Sequence, residues 1–212
     1  FNYNTLNLPA NSRFTTTGDN LFMRDITIEG NSSELLMRGN HFQNATINNI
    51  VMRGLARVGD SNSSLNGKTV LLDTLDNHSS SHTLYINGDF ENYGTIKNSV
   101  NYLTIHLNGD IVNHGFWDNY ETRLTGQYWQ EINFGPGIVF TGNNFINNNS
   151  SNDINVTSDI AFNNTNIDFN YANVTLPQNA NISIEGNVYF RDGNLYANGA
   201  ELYMTNGAQL AN

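Results

Sequence analysis

The chain contains no cysteine, few basic residues and no long hydrophobic run, and each shortage excludes a class of protein. Without cysteine it forms no disulfide, thiolate nucleophile or cysteine-based zinc site. Only nine of its 212 residues are lysine or arginine, and the formal net charge is −10. Phosphate backbones and anionic membrane surfaces would therefore be repelled. No run approaches the roughly 18 apolar residues of a membrane span. We expect no nucleic-acid binding and no membrane insertion.

Charged residues are scarce overall, and asparagine takes their place. They make up 13% of the chain, about half of the roughly 25% that is typical of soluble domains. Asparagine is the most frequent residue type, close to one in five, whereas proline occurs only three times. Aromatic residues reach 11%, so enough apolar side chains are present to offset the entropy cost of folding. No composition break divides the sequence, and we expect residues 1–212 to form a single domain.

The clearest internal repeat matches residues 87–98 to residues 108–119, 21 positions later. Six of the twelve positions are identical, and they include the pairs Gly88/Gly109 and Asn92/Asn113. Glycine, asparagine and aspartate are the residues that tight turns favour. The repeated Asn-Gly-Asp segments therefore predict corners between strands.

Between these corners the apolar residues alternate with polar ones, as in residues 84–86 and 104–107. This period of two indicates short strands, and no segment has the 3.6-residue period of a helix. Two all-β architectures fit: an antiparallel sandwich or barrel, and a single-stranded parallel β-helix, also called a β-solenoid. The 21-residue repeat favours the β-helix, because equivalent residues stack one coil apart. We expect irregular coils, almost no helix, and side-chain hydrogen bonding between Asn92 and Asn113.

Two local signals concern the lengths of the coils. A Met-Arg motif recurs in residues 22–25, 36–39 and 51–54, at offsets of 14 and 15. A coil following the clear repeat is expected at about residues 122–141, with Gly-Pro-Gly at residues 135–137 forming a tight turn within it. Loops are expected to bulge out at residues 79–82 and 143–152.

Residues 84–210, well over half of the chain, carry a set of motifs in a characteristic order. These are Asn-Gly-Asp-Ile-Val-Asn-His-Gly-Phe-Trp-Asp-Asn, then Arg-Leu-Thr-Gly, Ile-Val-Phe-Thr-Gly, Asn-Val-Thr-Leu and Gly-Ala-Glu-Leu-Tyr-Met-Thr-Asn-Gly. The order resembles the Asn/Gly-rich β-solenoid repeat segments of Bacteroidetes-type secreted surface proteins, many of them adhesins. The resemblance implies secretion, exposure on a cell surface, a structural or adhesive role and no catalytic residues.

Enzymatic chemistry has weak candidates. Parallel β-helices also serve polysaccharide lyases and hydrolases, which need paired carboxylates or a basic residue near bound calcium. Asp89 and Asp110 would stack one coil apart and could share a proton or hold a cation. Because each follows glycine inside a repeat, we expect both to be corner residues that cap turns. Lys68 and Lys97 are the only lysines, and His78 and His82 lie in a serine-rich loop. We expect no enzyme, metal or cofactor.

Five aromatic residues lie in neighbouring coils: Tyr93, Trp117, Tyr120, Tyr128 and Trp129. Exposed aromatic rings bind sugars through stacking and apolar contact, so these residues are the candidates for a glycan site. Trp117 aligns with Ile96 in the 21-residue repeat, which suits a core position equally well.

The sequence also bears on assembly. Terminal coils of a solenoid expose strand edges unless a cap covers them, and neither end of this sequence predicts a capping helix. Either the sequence is a fragment of a longer solenoid, or its ends pair with other copies. We expect the second, end-to-end stacking between copies, which generates a filament. The function expected is an extracellular, self-associating structural subunit of a surface filament, sheath or matrix. An adhesin region that binds glycans through exposed aromatic residues is the alternative, and a polysaccharide-degrading β-helix enzyme is a second.

Overall fold

The computed structural model describes residues 4–18, 21–59, 61–77, 81–100, 102–147, 149, 151–169, 171–190 and 192–211. Within these ranges the chain forms 24 strands and no helix. The strands are β1 (Asn4–Asn7), β2 (Arg13–Thr15), β3 (Phe22–Arg24), β4 (Ile26–Gln43), β5 (Thr46–Val58), β6 (Ser63–Leu71), β7 (Thr74–Asn77), β8 (His82–Asn87), β9 (Phe90–Asn92), β10 (Thr95–Lys97), β11 (Leu103–Leu107), β12 (Ile111–Asn113), β13 (Phe116–Trp117), β14 (Glu121–Leu124), β15 (Trp129–Phe134), β16 (Val139–Phe140), β17 (Asn144–Asn147), β18 (Asp153–Val156), β19 (Ile160–Phe162), β20 (Asn166–Phe169), β21 (Val174–Thr175), β22 (Asn181–Tyr189), β23 (Leu195–Tyr196) and β24 (Glu201–Ala211).

The strands pair in parallel, each with the equivalent strand one coil away, and they form a β-solenoid of about nine turns. The predicted all-β, parallel β-helix fold is therefore confirmed. Because neighbours in the sheet are distant in the chain, a backbone hydrogen bond of the ladder joins consecutive coils rather than consecutive strands.

Three sheets run the length of the solenoid. The first contains β1, β8, β11, β14, β17 and β20, and the second contains β2, β9, β12, β15, β18, β21 and β23. The third contains β3, β7, β10, β13, β16 and β19. The long strands β4, β5, β6, β22 and β24 bend at corners and belong to more than one sheet.

The bends in the long strands depend on residues with positive φ. In β5, Asn49 (φ 50°) and Gly54 (φ 74°) take the left-handed conformation at successive corners. The pairing register shifts beside Asn49, between Asn48 and Ile50. Glycine and asparagine tolerate this conformation better than other residues. The turn chemistry read from the sequence therefore lies where the strands change sheet.

The core is a set of apolar columns inside the solenoid. One column runs Ile96, Trp117, Phe140 and Phe162, each directly above the last in the parallel register. The ring centroids of Trp117 and Phe140 lie 6.1 Å apart, and those of Phe140 and Phe162 lie 5.6 Å apart. Burial of each such side chain contributes roughly 1.5–3 kcal/mol, so the columns hold the coils together.

Coil length varies along the chain. Thr104 pairs with Glu121, whereas Trp129 pairs with Asp153, so the second of these coils contains more residues than the first. The coil expected at residues 122–141 is longer than predicted, since Thr122 pairs with Phe145. The predicted loop at 143–152 is shorter, because residues 144–147 form β17. Ser79 and Ser80, from the loop expected at 79–82, lie outside the described residues.

The Met-Arg motif does not mark the coil repeat. Met52 pairs with Leu35, and Met37 pairs with Gly54, so the motifs are out of register with the coils. Met23, Met37 and Met52 are nevertheless all buried, because each motif places its methionine on the inward face of a strand.

The Gly-Pro-Gly segment forms the tight turn that the sequence predicts. The amide of Ile138 donates to the carbonyl of Gly135 at 3.0 Å. Gly137 has φ 74°, and with proline before it this is the pattern of a type II turn.

Candidate functional site

The pair Asn92 and Asn113 lies inside the solenoid, in direct register at the ends of β9 and β12. The Nδ2 of Asn92 donates to the Oδ1 of Asn113 at 2.8 Å, and both side chains are buried. Each Oδ1 also accepts the amide two residues later, from Gly94 at 3.0 Å and from Gly115 at 3.3 Å. The side-chain amides of the two asparagines thus join two coils and cap the corner of each coil.

This buried stack ends one coil later. Phe134 occupies the next position in the column, and the Nδ2 of Asn113 has no hydrogen-bond partner among the described residues. The repeat in the sequence ends at the same coil, which explains why the buried stack contains two asparagines.

The pair Gly88 and Gly109 lies at the corner before β9 and β12. A Cβ added to Gly109 would lie 2.3 Å from the carbonyl carbon of Gly88, and one added to Gly88 would lie 2.3 Å from the carbonyl oxygen of Gly67. Neither Gly88 nor Gly109 has positive φ. Close stacking of backbone on backbone therefore requires glycine here, rather than the left-handed turn that the dipeptide suggests.

Three further asparagine ladders, which the sequence reasoning missed, run along the outside. In the first sheet, Asn87 donates to Asn66 at 2.9 Å, Asn66 to Asn48 at 2.8 Å and Asn48 to Glu29 at 2.8 Å. The second runs from Asn187 to Asn166 to Asn144, and the third from Asn194 to Asn173 to Asp153. Unequal coil lengths concealed all three, since their members recur at intervals from 18 to 22 residues.

Asp89 and Asp110 cap the backbone of the coil above each of them. The Oδ1 of Asp89 accepts the amide of Asp110 at 3.2 Å, and the Oδ1 of Asp110 accepts the amide of Glu131 at 2.8 Å. Both carboxylates are thus used in inter-coil hydrogen bonds, the role expected of corner residues.

The histidines are dispersed over the solenoid. His41 and His82 are buried, His106 packs edge-on against Tyr85 at 5.0 Å, and His114 stacks on Tyr93 at 5.1 Å. His78 lies outside the described residues. No group of three or more metal-ligating side chains occurs in the part of the chain that the structure describes.

The five aromatic candidates do not form one exposed row. Trp117 is 1% exposed, and its Nε1 donates to the Oδ1 of Asn119 at 3.2 Å. The prediction that Trp117 binds glycan is therefore wrong, because the ring belongs to the core column of the third sheet. Tyr120 is half-buried against Tyr102, with ring centroids 4.2 Å apart.

The other three aromatic candidates are exposed. Tyr93 is exposed beside His114, while Tyr128 and Trp129 at the start of β15 are 80% and 55% exposed. They lie at two different corners, at the end of β9 and the start of β15 respectively.

Burial shifts the pKa of two side chains. It lowers the pKa of His106, and the positive charge of Arg123 lowers it further. It also raises the pKa of the Asp118 carboxyl, since partial burial disfavours the charged form. Lys68, which is exposed, has a raised pKa because it hydrogen bonds to Glu91.

Comparison with protein-family models, with curated proteins and with solved structures found no match to this chain. Among the described residues there is no helix long and apolar enough to cross a membrane. Inferences about function therefore rest on the fold and on the positions of individual side chains.

Proposed function

We propose that the protein is an extracellular, non-enzymatic structural β-solenoid that stacks end to end with copies of itself in a surface filament, sheath or matrix. The observation that carries the proposal is the apolar surface above the last described coil, formed by β23 and β24. Leu195 and Leu202 are 37% and 39% exposed there, although they continue the buried columns of Val174 and Ile182.

The backbone at this end suits the same contact. In the part of the chain that the structure describes, β24 pairs on one side only, with β22. At the opposite end β1, β2 and β3 likewise pair on one side only, with β4. Two copies stacked head to tail would extend every sheet in parallel, which satisfies backbone groups and buries the exposed leucines.

The coil-to-coil ladders support a mechanical role. Successive coils are joined by asparagine ladders on the outer surface and by ion pairs such as that of Lys97 with the buried Asp76, at 3.4 Å. They hold the stack in one register, and that arrangement suits a rod.

The test is a light-scattering concentration series on the unchanged protein and two variants. Leu202→Asp places a charge in the proposed contact, whereas Val139→Asp places one on the side of the third sheet at a residue of similar exposure, 38%. We expect the unchanged protein and Val139→Asp to associate as concentration rises, and Leu202→Asp to remain monomeric with the same circular dichroism spectrum. Monomers at every concentration for the unchanged protein would contradict the proposal.

A further inference from the structure

A shallow groove of about 590 Å³ lies on the outer side of the second sheet, beside β18 and β21. Its volume falls within the roughly 300–1,000 Å³ of small-molecule sites. The polar side chains that line it are those of Asn155, Thr157, Thr175, Gln178 and Asn198. None of them carries a formal charge.

Three of these side chains have unused hydrogen-bonding capacity. Within the described ranges, Asn155, Thr175 and Gln178 make no side-chain hydrogen bond, in contrast to Asn173 and Asn194, which are joined in the neighbouring ladder. Amides and hydroxyls both donate and accept. The groove therefore suits a ligand with many groups that both donate and accept hydrogen bonds, and the hydroxyls of a sugar are such groups.

An aromatic ring lies at one end of this arrangement. Thr175 pairs with Asn155 one coil below and with Tyr196 one coil above, so the three side chains form an outward column. Tyr196 is 51% exposed. Its ring offers a flat apolar surface on which the C–H face of a sugar ring can stack.

The charges nearby select against acidic ligands. Glu131 lies one coil below Asn155 in the same column, and Asp153 precedes Asn155 by two residues on the same face of β18. With a net charge of −10 on the whole chain, uronic or sulfated glycans would be repelled.

We propose that this groove binds a neutral oligosaccharide, with Tyr196 stacking on one sugar ring and Asn155, Thr175 and Gln178 bonding to the hydroxyls of the next. The chain of sugars would lie along the solenoid axis, where coils are spaced roughly 4.8 Å apart. The site is on the side of the solenoid, so it requires no stacking between copies and its failure would leave the assembly proposal untouched.

Calorimetric titration of the full chain with neutral hexose hexasaccharides of several linkages, and with uronic-acid hexasaccharides, tests the site. We expect at least one neutral hexasaccharide to bind and the acidic ones not to. Tyr196→Ala should weaken binding roughly three- to tenfold through lost stacking. Thr175→Val, which keeps the shape and removes the hydroxyl, should also weaken it. Tyr102→Ala is the control, because Tyr102 is 54% exposed and lies away from the groove.

Three results would overturn the inference. The first is the absence of binding by every neutral hexasaccharide. The second is binding that both Tyr196→Ala and Thr175→Val leave unchanged, since the ligand would then lie elsewhere. The third is equal or tighter binding of the uronic-acid series, which would contradict the charge argument. Circular dichroism of each variant separates a lost contact from a lost fold.

Discussion

Individual asparagines differ in how strongly they hold the coils together. Asn92 is buried and satisfies the side chain of Asn113, the amide of Gly94 and the carbonyl of Phe116. Asn87 donates a hydrogen bond of similar length, 2.9 Å, to Asn66, but on the exposed surface. A buried polar group that loses its partner pays the full cost of desolvation, whereas an exposed one returns to water.

Replacing Asn92 with alanine should therefore destabilise the protein by about 2–3 kcal/mol, because the Gly94 amide loses its acceptor, the Asn113 oxygen keeps only the Gly115 amide, and a buried cavity is left. Asn87→Ala, the matched control in the exposed ladder, should cost less than about 0.5 kcal/mol. Urea unfolding followed by tryptophan fluorescence measures both, and Trp117, which lies one coil above Ile96 with its ring 5.6 Å from that of Phe90, reports on the adjoining core. Equal effects for the two variants would show that burial does not set the strength of these ladders.

Some of the residue contacts could be predicted from the sequence and others could not, for a physical reason. The contact between Asn92 and Asn113 was predictable because the coils around it are of equal length, 21 residues apart. The position of Trp117 was ambiguous because tryptophan occurs both in buried cores and on surfaces where sugar rings stack. Only its alignment with Ile96 favoured the core. The groove around Asn155 and Thr175 was not predictable, since its residues come together only through the local register.

Corners are the elements in which neighbouring coils approach most closely. At the corner between the second and third sheets, Gly115 lies over Gly94, and a Cβ added to Gly115 would be 2.1 Å from the carbonyl oxygen of Gly94. The contacting atoms belong to the backbone and cannot rotate away. The repeated glycine is thus required by the distance between coils.

Gly115→Ala should destabilise the protein by about 2–3 kcal/mol, because the coils must separate to admit a methyl group. Gly18→Ala is the control: among the described residues, nothing lies within 4 Å of its added Cβ. We therefore expect a change below about 0.5 kcal/mol, with a slight gain from the stiffer unfolded chain. Thermal unfolding of both variants measures the two changes in stability. A neutral Gly115→Ala would mean that the corners are looser than the structure describes.

At this scale the existence of corners and strands could be predicted, and the length of each coil could not. Corners carry glycine, asparagine and aspartate for local reasons that a sequence displays. Coil length depends on how many residues each corner accommodates while the strands before and after it still pair with the next coil. Contacts between coils therefore set it, and a single coil's sequence does not display them. The Met-Arg motif illustrates the limit, since Met37 and Met52 are both buried and yet unpaired with each other.

Over the whole molecule, polar side chains cross the side of the solenoid, whereas apolar side chains lie on its last described coil. Its outer surface is crossed by polar ladders, while Leu195 and Leu202 leave the core exposed above the last described coil. The architecture was predictable because a 21-residue repeat of alternating strands leaves few alternatives. The exposure of Leu195 and Leu202 could not be predicted, because in the sequence they have the same alternating apolar pattern as the buried residues.

The measurement that tests end-to-end stacking most directly is electron microscopy of the concentrated protein, with the axial repeat of any fibre measured. About nine turns in this 212-residue chain, spaced roughly 4.8 Å apart, predict that a fibre made of this chain has an axial repeat of roughly 43 Å and strands perpendicular to its axis. Fibres with that repeat are the expected result. Single particles at every concentration, or fibres whose strands run along the axis, would contradict the proposed stacking.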